Sequence, residues 1–346
     1  MIKPLDISDF INLEKNIPVI DVRTPLEFEH AHIPRAFNIP IFSNEERVQV
    51  GTTYKQKGRE QAILLGFDFT GPKWSAFIRQ ALEIAPEKKI ALHCWRGGMR
   101  SGAMAWALDM YGFEVYLLEG GYKKFRNWVL GKFTEHYQIF ILGGMTGSGK
   151  TQVLKELKIK KQQVVDLEAL ADHQGSSYGS MGKTSQPSQE YFENLLAVEL
   201  HSVNNNQTVW LEDESLTIGK RFIPTGIWQQ MRIASVLKMI VPAEERIEFL
   251  AKEYGELNQQ FLIESTQRIA KRLGPEQTRH AVEAINDNRI VDFVRQVLVY
   301  YDKTYALGLN KRDPKTIIPL YCDGTEPLTN ATMVLNHFKM MQPSVV

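Results

Sequence analysis

Two stretches of this chain carry residue types at spacings that can do chemistry. The first is His93-Cys94-Trp95-Arg96-Gly97-Gly98-Met99-Arg100-Ser101. It follows an apolar run that reads as a strand and precedes a helical pattern. In that setting the backbone N–H groups from Trp95 to Arg100 can curl around one point. Gly97 and Gly98 permit the curvature, and a helix N-terminus adds positive potential. Arg96 and Arg100 can add guanidinium groups, so the loop is expected to hold a tetrahedral anion. The same field stabilises negative charge on the Cys94 sulfur and makes it a nucleophile. Trp95 offers an aromatic face for stacking beside it. A lone cysteine at a strand end is usually an inert buried residue, but paired arginines and glycines around it argue for a site.

The second stretch is Gly144-Met145-Thr146-Gly147-Ser148-Gly149-Lys150-Thr151, a full G-x4-G-K-[ST] motif. It lies between a strand and a helix, the context in which the motif is a phosphate loop. Its backbone N–H groups cradle phosphates, Lys150 meets their charge, and Thr151 can hold Mg²⁺. Such a loop takes a diphosphate as readily as a triphosphate. Two sets of acids compete to partner it. Glu212-Asp213-Glu214 ends a strand, where a carboxylate binds Mg²⁺ in phosphate-loop enzymes. Asp166 and Glu168 follow another strand. Solvated loops explain such acids equally well. His173, Ser176 and Ser177, in a Gly-Ser-rich loop, line this site or form a plain turn.

These loops need elements to position them. Pro18–Val22, Lys89–His93 and Glu114–Leu118 read as buried strands, with helical periodicity at Trp74–Ile84 and Ser101–Tyr111. Strands spaced by helices predict an α/β fold with a parallel sheet covered on both faces. A second series follows: strands at Tyr137–Leu142, Gln163–Leu167, Thr208–Leu211, Ser235–Val241 and Ile317–Tyr321. Pro242 opens a helix over Ala243–Tyr254, residues 257–307 read as almost wholly helical, and Pro327–Met341 closes the chain. The expected division is residues 1–132 and 133–346, the second carrying a helix-rich region at about 243–307.

Composition agrees with an ordinary globular protein. The chain has 346 residues, 43% hydrophobic and 23% charged, enough for two or three domains of roughly 100–200 residues. Two cysteines give no disulfide framework, which points to a reducing, cytoplasmic setting. Apolar runs are too short to span a bilayer, so no membrane partner is expected. With 41 basic and 40 acidic residues, a uniformly basic nucleic-acid binder is excluded but a local basic groove is not.

The cysteine segment resembles the rhodanese family. Asp21–Phe28 and His32–Pro40 extend the likeness over roughly residues 5–130. Ala31 and Arg35 stand where that family usually has Gly. Rhodanese domains carry sulfur or selenium on the loop cysteine. His-Cys-x5-Arg-Ser is also the signature of cysteine phosphatases, which form a phosphocysteine in such a cradle, and its width suggests room for a phosphate-sized group. A phosphatase also wants a general acid, which the sequence does not identify.

A rhodanese-like domain followed by a P-loop domain with a helical insert resembles the tRNA 2-selenouridine synthase family, also known for tRNA geranylation. Asn44–Gln56, Glu119–Lys123, Asp166–Ala171, Gly175–Gly179 and Glu212–Ser215 add to the likeness. Gln174 stands where that family often has Arg. The resemblance implies a transferase acting on the wobble 2-thiouridine of tRNAs for Lys, Glu and Gln. Geranyl diphosphate would alkylate the sulfur, and selenophosphate would then deliver selenium. Gly144, Thr146, Gly147, Ser148, Gly149, Lys150 and Thr151 would bind geranyl diphosphate. Cys94 would accept selenium as a selenosulfide, with Arg96, Arg100 and the loop amides on the phosphoryl group.

Tyr54, Lys55, Lys57 and Arg59, and Arg268, Lys271, Arg272 and Arg279, are candidate RNA contacts, or else solvated helix faces. Phe261, Ile263, Phe293, Val297 and Tyr301 form either a geranyl pocket or a core stripe. Cys322 reads as structural. Two other classes remain open. One is a rhodanese-fold cysteine phosphatase or sulfurtransferase with a nucleotide-binding P-loop domain. The other is a P-loop ATPase or kinase with an inactive rhodanese module.

Overall fold

Val19–Asp21 is buried at every position, and Lys89–His93 at all but its first, as expected of strands covered on both faces. The computed structural model describes residues 1–13, 16–174, 178–179 and 185–341. These form two compact units: residues 1–132 with 193–198, and residues 133–192 with 199–346.

In the first unit the order is β1 (Ile2–Leu5), α1 (Ile7–Leu13), β2 (Val19–Asp21), α2 (Pro25–His30), β3 (Phe37–Asn38), α3 (Asn44–Lys57), α4 (Arg59–Thr70), α5 (Trp74–Ile84), β4 (Lys89–His93), α6 (Met99–Met110), β5 (Glu114–Leu118) and α7 (Gly121–Lys132). The sheet order is β1-β5-β4-β2-β3, parallel throughout. Local sequence sets the helix starts. Thr24 and Glu27 form a capping box at α2, with Pro25 in the first turn, and Ser43 and Glu46 form another at α3. Phe77 and Ala81 of α5 and Met104 and Leu108 of α6 join Ile20, Leu92 and Val115 in one core. Each large apolar side chain so buried contributes about 1.5–3 kcal/mol.

Register decides where the chemistry emerges. Asp21 lies opposite His93 in the β2–β4 pair. The segments after both strands, Val22–Thr24 and Cys94–Gly98, therefore leave the sheet at one end.

The second unit contains β6 (Gln138–Gly144), α8 (Lys150–Ile159), β7 (Gln163–Val164), α9 (Leu167–Ala171), both ends of α10 (Gln189–Ser202, whose residues 193–198 belong to the first unit), β8 (Thr208–Glu212), the hairpin β9 (Thr217–Ile218) and β10 (Arg221–Phe222), α11 (Thr225–Ile233), β11 (Val236–Ile240), α12 (Ala243–Gly255), α13 (Gln259–Leu273), α14 (Pro275–Asn286), α15 (Ile290–Leu309), β12 (Ile317–Tyr321) and α16 (Pro327–Met341). Its sheet order, β12-β11-β6-β8-β7, is again parallel. Helices α12–α15 carry their own core, including Leu250, Leu262, Ile269, Phe293 and Val297. The strand expected over Gln163–Leu167 is shorter, because Asp166 caps α9 with its side chain on the Ala169 N–H.

Asp21 anchors the first unit's loop end. Its carboxylate accepts from the backbone N–H, Nε and Nη2 of Arg23, the last at 2.6 Å. Burial pushes the carboxyl up, but His93 and the Arg23 guanidinium outweigh it and hold it below the ordinary value. This contribution is present above the unfolded-state value of about 3.9 and fades as pH falls below it. Asp21→Asn strands the Arg23 charge and should cost about 3–5 kcal/mol at pH 7. Denaturant unfolding from about pH 2 to about pH 7, the span of the carboxylate titration, checks this, and the variant's curve should be flatter at the acid end than that of the parent.

Candidate active sites

The first candidate site is built at the β4–α6 turn. Cys94 is only 3% exposed. The Ser101 hydroxyl lies 3.1 Å from its Sγ. Burial pushes the thiol up, but the Ser101 hydroxyl, the backbone N–H groups of Ser101 and Arg96, and the Arg100 charge hold it below its ordinary value. The loop is braced from behind by the start of α7. Tyr122 N–H donates to the Cys94 carbonyl at 2.8 Å and Lys123 N–H to that of Trp95 at 2.9 Å. Gly121 is required there: a Cβ would lie 2.4 Å from the Cys94 carbonyl oxygen and 2.5 Å from the Gly97 nitrogen. Gly97 sits at φ +66°, a conformation that favours glycine.

Of the expected anion ligands, Arg96, Gly98 and Met99 are exposed at the loop, while Arg100 donates to Glu27 at 2.8 Å. Trp95 is exposed on one side, with its ring centroid 5.7 Å from that of Tyr122. Sequence reasoning assigned no role to Ser101 or Glu27, although both stand in the quoted motifs. Next to the loop, an apolar cavity of about 1100 Å³ runs under α3 and α4 and shares Met99 and Arg100 with it. Tyr54 and Lys55 line this cavity; Lys57 and Arg59 do not.

The second candidate site is the β6–α8 turn, where Leu142 pairs with Glu212 and Gly144 with Met239. Gly149, at φ +73°, caps α8, and a Cβ on Gly147 would lie 2.8 Å from the Arg246 carbonyl and from Leu250. The Thr146 carbonyl accepts from Arg246, which is clamped to Asp302 at 2.9 and 2.8 Å. Ser148 is buried, and its hydroxyl has no partner among the described residues. Lys150 lies 3.4 Å from Glu212, and Thr151 Oγ1 lies 3.2 Å from Glu212 and 3.4 Å from Glu168.

The acids around this loop sort differently from either expected set. Oxygens of Glu168, Glu212 and Glu214 lie within 4.8 Å of one another. Burial and the Glu212 charge hold the Glu168 and Glu214 carboxyls well above the usual range. Burial lowers the Lys150 ammonium, but Glu212, Glu168 and Glu214 more than offset it. Hard oxygens at this spacing, beside the Thr151 hydroxyl, fit Mg²⁺. Asp166 is spent on the α9 cap. Asp213 is taken by Arg312 at 2.6 Å. The Gly144 N–H donates to the Tyr305 hydroxyl at 2.7 Å, and that hydroxyl also engages Asp213. Sequence reasoning missed Tyr305 and Arg312, which come from distant parts of the chain.

A cleft of about 1620 Å³ surrounds the phosphate loop. His173 and Gln174 line it; Ser176 and Ser177 lie outside the described residues. Arg268, Lys271 and Arg272 line it too, whereas Arg279 pairs with Glu283 on α14. Tyr301 lines the cleft, but Phe293 and Val297 are fully buried in the helical core, and Phe261 and Ile263 pack against it. Cys322 is buried and pushed up to about 11 by burial and the neighbouring Asp323.

Tyr305→Phe removes the acceptor for the Gly144 N–H at the loop's first residue. It should cost about 1–3 kcal/mol in thermal unfolding and weaken binding of inorganic diphosphate in calorimetry; unchanged values for both would contradict the brace.

Comparison with known proteins places these two turns in context. The rhodanese-like domain family matches residues 6–127, and the family described as tRNA 2-selenouridine synthase AAA domain matches residues 137–319. A tRNA 2-selenouridine synthase of Nitrosomonas eutropha is 38% identical over 68% of this chain, and the match spans 63% of that relative's length. One from Shewanella frigidimarina is 31% identical over 88% of this chain and 92% of its own, and one from Hydrogenovibrio crunogenus 34% over 87% and 91%. A crystallised N-terminal domain from Clostridium difficile 630 is 43% identical over 37% of this chain and 99% of its own, with a TM-score of 0.35. With a rhodanese-like domain, a phosphate-loop domain and these relatives, the chain belongs to the tRNA 2-selenouridine synthase family.

Proposed function

We propose that this protein exchanges the sulfur of wobble 2-thiouridine in tRNA for selenium, in two steps divided between its two loops. The observation that carries this reading is the contrast between them. Both are glycine-containing turns between a strand and a helix, which this reading takes as anion cradles. One presents a thiol held below its ordinary value, and the other presents lysine, threonine and a cluster of acids.

In the first step the phosphate loop holds geranyl diphosphate. The thiocarbonyl sulfur attacks the allylic carbon, an S–C bond forms, the C–O bond breaks, and diphosphate leaves with that electron pair. Lys150 and the loop amides meet the growing charge on the leaving group. Mg²⁺ held by Glu168, Glu212, Glu214 and Thr151 would neutralise part of the same charge. The proton on the ring nitrogen is lost, and the sulfur becomes a thioether. A thioether sulfur leaves more readily than a thiocarbonyl sulfur, which prepares the second step.

In the second step selenophosphate enters the Cys94 loop, whose five-residue spacing between Cys94 and Arg100 leaves room for a phosphate-sized anion, and selenium replaces the sulfur at C2. Geranylthiol leaves. RNA reaches both loops through an unstacked base, as single-stranded recognition requires. Arg268, Lys271 and Arg272 beside the phosphate loop, and Tyr54 and Lys55 beside the cysteine loop, are the contacts this reading assigns to RNA.

Mass spectrometry of wobble nucleosides tests the division, using pure protein, thiolated tRNA and both small substrates, with each omitted in turn. Cys94→Ala should abolish selenouridine while leaving geranylated thiouridine intact. Lys150→Ala should depress geranylation by about a hundredfold, the effect of losing one preorganised charge contact. Equal loss of both products in a folded Cys94→Ala protein would refute the division of labour.

A further inference from the structure

The cysteine loop also bears on which bond of the selenium donor breaks. We propose that Cys94 attacks the phosphorus of selenophosphate, not its selenium, and releases hydroselenide. This rests on the reading above, in which selenophosphate is the donor at this loop, and it specifies the step.

Electron counting separates the two routes. In the proposed step selenophosphate reacts with its one proton on selenium: the Cys94 thiolate pair forms an S–P bond, and the P–Se pair departs with the Se–H as hydroselenide. Water then attacks phosphorus, the S–P pair returns to Cys94 as thiolate, and orthophosphate leaves with the water's oxygen and protons. No atom changes oxidation state. Hydroselenide adds to C2 of the S-geranylated base, the C2–S bond breaks, and sulfur leaves as geranylthiol with the proton carried by selenium. Attack at selenium would instead make a selenosulfide and force phosphorus to depart with the P–Se pair, as phosphite. That leaving group carries its charge on a basic phosphorus lone pair and is a poor one.

The loop supplies what displacement at phosphorus needs. The sequence His-Cys-x5-Arg-Ser spans a phosphate-sized turn. N–H groups of Arg96 and Ser101 already point at the sulfur that must be a nucleophile first and a leaving group second. Ser101, 3.1 Å from Sγ, can donate to the thiolate in both roles. Arg100, held at the loop by Glu27, sets a guanidinium beside the phosphoryl oxygens. Cys94 itself is buried, but its loop neighbours Met99 and Trp95 are 56% and 38% exposed, so the water that must finish the cycle has only the outer residues of the turn to pass.

The leaving group fits as well. Cysteine phosphatases that expel alkoxides need a general acid. Hydroselenide is the anion of an acid much stronger than an alcohol or an alkanethiol, and it departs without a further proton from the protein. Glu27, the carboxylate bonded to Arg100, is free to remain a structural anion.

The test uses the full chain with selenophosphate in isotope-labelled water, followed by phosphorus NMR and by mass spectrometry of the acid-quenched protein. The expected result is orthophosphate carrying one labelled oxygen, formed at least about a hundredfold faster than with Cys94→Ser. A transient phosphoryl adduct on Cys94, without a selenium isotope envelope, should accompany it. Ser101→Ala should slow orthophosphate release by roughly tenfold and make the adduct accumulate, an outcome a merely structural hydroxyl would not produce. para-Nitrophenyl phosphate serves as a selenium-free probe, and its cleavage should depend on Cys94 and be blocked by orthovanadate. Phosphite in the spectrum, or selenium on Cys94, would overturn this step while leaving selenophosphate as the donor. Selenophosphate untouched by the folded protein, even with S-geranylated RNA present, would overturn the donor assignment and this step together.

Discussion

Both sites depend on one constraint: the first N–H groups of a helix have no partner within it. At α6 and α8 those groups end a loop containing positive-φ glycines, the arrangement in which the proposed function has them satisfy an oxyanion. Parallel sheets place such turns at the carboxyl ends of their strands, where α/β folds gather ligands. Everything specific to this chain is added to that shared device. Cys94 stands on one turn; Lys150 and Thr151 stand on the other.

The two turns are braced in different ways. The cysteine loop is held by local neighbours, since the first residues of α7 bond its carbonyls and Gly121 lets the two backbones touch. The phosphate loop is held from far along the chain. Tyr305 accepts from Gly144, Arg246 reaches Thr146, and Arg312 balances Asp213. The helical region α12–α15 thus does more than bury its own core: Arg246 and Tyr305 lie within it and bond to the loop.

The frames of both candidate sites were legible in the sequence because strand, glycine turn and helix are consecutive there. What surrounds them was not. Glu168 and Glu214 lie near Glu212 only because β7 and β8 are neighbours and α9 turns back at Asp166, which caps that helix. Arg312 and Tyr305 carry no local signal, since their roles arise from contacts far apart in sequence. Helices α3 and α4 also escaped the periodicity reading. α3 buries no residue and α4 only Ala62 and Thr70, so neither shows the apolar stripe of a core helix. The stripe that could have been a prenyl pocket is mostly core, and the apolar cavity instead lies under those two helices.

The most direct measurement hands an isolated intermediate from one variant to another. S-geranylated tRNA made by the Cys94→Ala protein is purified and given to the Lys150→Ala protein with selenophosphate. If each loop serves its own step, selenouridine forms at close to the parent rate, although the same variant does little with thiolated tRNA. Failure of the folded Lys150→Ala protein on the pre-geranylated RNA would contradict the account.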